Sequence, residues 1–94
     1  MAERGPYQYR DDVLAELPQY GITPTSHTPP QLAREFVADL YRHQLRQLRQ
    51  RLLDQEFPRH EYAGRVEALR LRYRVLSLRP REWLVREDVA PPAT

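Results

Sequence analysis

The segment PPQLAREFVADLYRHQLRQLRQRLLDQ, residues 29–55, decides the fold of this chain. After Pro30 no glycine or proline interrupts it, and Leu, Arg, Gln, Ala and Glu, all strong helix formers, dominate. Thr28 offers an N-cap, and Pro29 then takes the first helical position, where its missing N–H costs nothing. The apolar residues are Leu32, Phe36, Val37, Leu40, Tyr41, Leu45, Leu48, Leu52 and Leu53. They form a wide stripe in the first half and narrow to a seam of Tyr41, Leu45, Leu48 and Leu52, whose alternating four–three spacing is a heptad signature. A wide stripe touches two neighbours and a seam touches one. The early half is therefore expected to pack on both a second helix and the N-terminal segment.

Phe57-Pro58 ends this helix, and Pro58 can open another. Tyr62, Val66, Leu69, Tyr73 and Leu76 repeat the spacing, which predicts a second helix over about residues 58–75. Matched seams joined by a short connection predict an antiparallel helical hairpin. Residues 69–78 also fit a strand, because Arg70-Leu71-Arg72-Tyr73-Arg74-Val75 alternates with period two. The helical spacing that begins at Tyr62 favours helix to about Arg74. Pro80 turns Arg79 away from helical geometry, and a short turn over Pro80–Leu84 would present Trp83 as a plug for the end of the hairpin.

Upstream, residues 1–10 read as an arm that lays Tyr7 and Tyr9 on a hydrophobic groove. Asp11 or Asp12 can cap a short helix carrying Val13, Leu14 and Leu17, stopped by Pro18 and Gly21. The run from Gln19 to Pro30 is a proline-rich connector pinned by Tyr20 and Ile22. Residues 89–94 read as a frayed tail. The expected fold is all-α: one domain over residues 1–94, with a hairpin, a short N-terminal helix and the connector. A chain of 94 residues buries only roughly 60–65% of its unfolded surface. It leaves little room for a deep, water-excluded cleft.

All fifteen basic residues are arginine, and lysine, asparagine and cysteine are absent. A biased genome would produce this, and so would selection for the guanidinium fork, which grips phosphates and carboxylates with paired hydrogen bonds. Charge is unevenly placed: −3 over residues 1–41, +7 over 42–81 and −2 over 82–94. A cysteine-free chain without an apolar leader or an apolar run of membrane length reads as a cytoplasmic protein that does not enter the membrane.

The three glycines are isolated, so no phosphate loop exists, and no Glu-x-x-His pair or cysteine supplies a metal or nucleophile motif. Glu35, Asp39 and His43 share one helix face at i, i+4 and i+8. The same spacing also suits a solvated polar face on which Asp39 pairs with Arg42. No enzymatic activity, cofactor or metal is expected. The leading expectation is a small protein–protein interaction or assembly module, self-associating as a homodimer through Tyr41, Leu45, Leu48 and Leu52, with a further protein partner. The alternative is a nucleic-acid-binding accessory protein using the arginine-rich block 42–81. Its phosphate or partner contacts would be Arg42, Arg46, Arg49, Arg65, Arg70, Arg72 and Arg74.

Overall fold

A computed structural model describes residues 5–85. It is all-α, and among the described residues the only β feature is an isolated antiparallel bridge between Tyr9 and Leu84. The expected tail, residues 89–94, lies outside them.

The first helix, α1, spans Asp11–Glu16. Arg10 rather than an aspartate occupies its N-cap, and both Asp11 and Asp12 sit in the first turn, where their charge complements the helix dipole. The Asp12 carboxylate accepts the Val13 N–H (3.0 Å) and both forks of the Arg10 guanidinium. That guanidinium holds the Asp12 carboxyl below its usual range. Pro18 sets a 3-10 turn over Leu17–Tyr20, closed by Gly21 at φ 87°, a left-handed position that favours glycine.

The long helix, α2, spans Pro30–Leu53, 24 residues and about 36 Å. It begins one residue later than Thr28 as N-cap would require: Pro29 is the N-cap and Pro30 the first helical residue. Thr28 closes a turn with Thr25, its hydroxyl accepting the Thr25 N–H (3.0 Å) and its own N–H reaching the Thr25 carbonyl (3.0 Å). The C-terminal end is a Schellman motif. Gln55 takes the left-handed conformation (φ 61°), its N–H bonds to the Leu52 carbonyl (2.9 Å), and the Glu56 N–H bonds to the Arg51 carbonyl (2.9 Å).

After Pro58 a 3-10 turn over Arg59–Glu61 leads into α3, Tyr62–Arg72. Contacts across the hairpin establish its direction. Arg51 and Arg65 both reach the Phe57 ring, Leu48 and Leu69 share a groove, Tyr41 meets Tyr73 with ring centroids 5.3 Å apart, and Arg34 bonds to Leu76 and Leu78. Numbers fall along α2 as they rise along α3, so the pair is antiparallel.

The second helix is shorter than the seam predicts and ends at Arg72 instead of about 75. Tyr73 leaves the helical region (φ −115°, ψ 37°), and two 3-10 turns follow, Arg74–Ser77 and Pro80–Trp83. The strand option for residues 69–78 is not taken. Side chains from elsewhere satisfy the carbonyls around this exit. The Tyr20 hydroxyl donates to the Arg72 carbonyl (2.6 Å), the Trp83 indole to Val75 (3.1 Å), and the Arg34 guanidinium to Leu76 (2.5 Å) and Leu78 (2.8 Å). Four backbone acceptors need no helical partner, so the chain can leave the helix without an unsatisfied buried group.

Trp83 is fully buried and joins Tyr9, Val13, Leu17, Val37, Leu69, Tyr73 and Val75 in one core. It does plug the open end of the hairpin. The arm is built into the same end: the Arg10 N–H donates to the Trp83 carbonyl (2.9 Å), the Val85 N–H to Gln8 (2.8 Å), and the Tyr9 hydroxyl to Thr28 (2.6 Å). Gly5 lies so close to the connector that a Cβ there would meet the Ser26 carbonyl oxygen at 2.2 Å. Tyr9 and Tyr20 are both pushed up to about 12, first by burial, and each phenol donates to a backbone carbonyl that a phenolate would face unfavourably.

Candidate interaction surfaces

The seam expected to bind a second copy is engaged within the chain. Leu48 is only 8% exposed, Tyr41 packs on Tyr73, Leu45 lies against the core and Leu52 is half-buried. The physical reason is that α3, Tyr73 and the segment behind it cover this side of α2 along much of its length. Large apolar groups left in water lie elsewhere: Leu32 (64% exposed) and Phe36 (46%) one turn apart on α2, Leu53 at its C-terminal end, and Leu71 on the outer side of α3. Leu32 and Phe36 border a groove of about 220 Å³ whose other wall is Ile22, Pro24 and Thr28 of the connector. The wide apolar stripe of the sequence thus has two fates. Val37 and Ala33 turn into the core, and Leu32 and Phe36 stay outside it.

The arginine block is divided between the two flanks of the hairpin. At 3.6 residues per turn, Arg42 and Arg49 fall on one flank of α2, and Gln44, Gln47 and Arg51 on the other. Arg51, Arg65 and Arg72 line a single groove of about 250 Å³ between α2 and α3, with Gln44 and Gln47 on its rim and Leu48, Ala68 and Leu69 as its floor. Among the seven arginines singled out by the sequence, Arg42 pairs with Asp39, Arg65 with Glu61 (3.0 Å), Arg70 with Glu67 (3.0 Å) and Arg74 with Glu16 (3.4 Å). Arg46, Arg49 and Arg72 make no ion pair with any described residue. The structure therefore brings together two of the seven, Arg65 and Arg72, and adds Arg51 and the two glutamines. Their i, i+3, i+7 spacing (Gln44, Gln47, Arg51) was the available signal.

At the loop end of this groove the Phe57 ring is 6% exposed and lies under both guanidiniums, with Arg65 Cζ 4.1 Å and Arg51 Cζ 5.7 Å from its centroid. Glu56 holds Arg51 (2.9 Å) and Glu61 holds Arg65 (3.0 Å). Stacking and ion pairing together fix both forks in place.

Glu35, Asp39 and His43 are all exposed, and Asp39 is engaged by Arg42. Among the described residues no three acidic or histidine side chains converge on a point that could hold a metal ion, and no helix is long and apolar enough to cross a membrane. No known protein family, curated protein or solved structure matches this chain.

Proposed function

We propose that this protein is a small, cytoplasmic, non-catalytic assembly module that self-associates through the N-terminal end of α2. The observation that carries the reading is the exposure of Leu32 and Phe36 on consecutive turns beside the Ile22–Pro24 groove. A two-fold contact between identical surfaces needs a projecting part and a receiving part on the same patch. Here the Phe36 ring projects at the border of the cleft that a second copy's Phe36 would enter.

The shape of the molecule supports the same reading. The described residues form one layer of two helices closed by short turns, with Leu53 and Leu71 exposed besides Leu32 and Phe36. A single layer leaves helix faces that only another chain can cover. Sedimentation equilibrium at micromolar concentration is expected to give twice the 11.2 kDa of the chain. Phe36→Glu is expected to return it to a monomer with an unchanged far-UV circular dichroism spectrum, because this side chain is outside the core. A wild-type protein that stays at 11.2 kDa throughout that range would overturn the reading.

A further inference from the structure

The geometry points to the α2–α3 groove as a docking site for a short acidic segment of a partner protein, a surface separate from the Leu32–Phe36 patch. The groove has two cationic ends and an apolar middle. Arg51 and Arg65 converge on Phe57 at one end, and Arg72 stands at the other without an ion-pair partner among the described residues. Arg65 and Arg72 are seven residues apart on α3, about 10 Å along its axis. Leu48, Leu69 and Ala68 form the floor between them.

A ligand complementary to this arrangement carries carboxylates about 10 Å apart with an apolar side chain between them. An extended peptide meets that requirement with acids four residues apart and the apolar residue midway, because alternate residues share one face. At roughly 3.3 Å per residue the acids are about 13 Å apart along the backbone, and the flexible Glu and Arg side chains take up the difference of about 3 Å. Gln44 and Gln47, each able to donate and accept, are placed on the rim to bond its backbone. The groove's own chemistry shows the preference: Arg51 and Arg65 already hold the carboxylates of Glu56 and Glu61. Arg72 is the position where an incoming carboxylate finds a guanidinium with no ion-pair partner among the described residues.

A nucleic-acid strand fits less well. Non-specific binding of a single strand uses aromatic faces on which bases stack, beside a row of unpaired cations. Phe57, the aromatic ring at this site, is sealed beneath Arg51 and Arg65, and Arg49 and Arg42 are on the opposite flank of α2.

Fluorescence anisotropy at 150 mM salt, about the physiological level, distinguishes the two. The probes are a labelled peptide with a central leucine flanked by glutamates four residues apart, the same peptide with lysines for the glutamates, and a labelled single-stranded oligonucleotide. The acidic peptide is expected to bind saturably, and the lysine peptide not at all. Arg72→Ala is expected to weaken binding roughly tenfold to a hundredfold, the effect of losing a charged hydrogen bond. Arg49→Ala, on the far flank, is expected to leave it unchanged. Neither variant touches a described ion pair, so both should keep the wild-type melting temperature. Failure of the acidic peptide to saturate, equal loss in Arg49→Ala and Arg72→Ala, or tighter binding of the oligonucleotide than of the peptide would each overturn the proposal. Because Phe36→Glu leaves this groove intact, loss of self-association and loss of peptide binding can be told apart.

Discussion

Arg34 is the side chain on which the irregular part of the structure most depends. From α2 it donates to the carbonyls of Leu76 and Leu78, and no other described residue offers those acceptors a charged donor. Arg34→Met keeps the aliphatic stem and removes both bonds. It is expected to cost about 2–4 kcal/mol, read as a shift of the urea midpoint. Tyr9 and Tyr20 give the molecule a pH limit at the same scale. Their folded values, about 12, lie above the ordinary 10.0, so the folded state holds these protons where the unfolded chain releases them. Their contribution is complete below pH 10 and is lost as pH rises towards 12. At most it amounts to about 3 kcal/mol each. Alkaline unfolding should therefore begin above pH 10 and move upward in Tyr20→Phe, which retains the ring stack on Tyr73 and has no proton to lose. An alkaline midpoint unmoved by that substitution would disprove the link.

Among the elements, the Schellman end of α2 and the first turn of α3 carry residues that are not the best for their places. Gln55 pays a steric penalty at φ 61° that glycine avoids. Gln55→Gly is expected to stabilise by up to about 1 kcal/mol. Gly64 lies inside α3 with open space where its Cβ would be, so Gly64→Ala should add roughly 0.5–1 kcal/mol. Thermal unfolding of the two variants checks both. The same elements show what the sequence made legible. The hairpin could be read because Leu48 and Leu69 recur at helical spacing, and that periodicity reports directly on the buried face. The end of α3 at Arg72 could not, since Tyr20, Arg34 and Trp83 are what satisfy the exit, and they are 52, 42 and 8 residues distant from their acceptors. No local pattern records a hydrogen bond of that range. The one-residue shift at Pro29 and Pro30 is of the other kind, because either proline satisfies the same rule for a first helical position.

For the whole molecule, the arginine block is where composition and geometry part. Counting charge along the chain gives +7 over residues 42–81, but the helix period divides those cations between two flanks, and acids from α1 and the hairpin neutralise several. A continuous phosphate-binding stripe would require one flank to carry them all. The expected self-association seam is engaged within the chain for a related reason. An apolar stripe on a sequence states that a face will be covered, not by which chain, and here Tyr73 meets Tyr41, the core takes Leu45, and Leu48 shares a groove with Leu69. The shared groove lined by Arg51, Arg65 and Arg72 was visible only once the register between α2 and α3 was known.

The tie between Gln8–Arg10 and Trp83–Val85 carries a consequence for how the protein is made. Tyr9 and Val13 leave the ribosome early, yet the indole that covers them is encoded some 70 residues later. At about 5–20 residues per second, that is a wait of roughly 4–15 s. During it the hairpin can form but the arm has nothing to close upon. A nascent chain arrested just before Trp83 should therefore expose Tyr7–Arg10 to protease, and one extended past Val85 and clear of the exit tunnel should protect them. The closing event therefore waits on the synthesis of Trp83–Val85 and not on that of the hairpin.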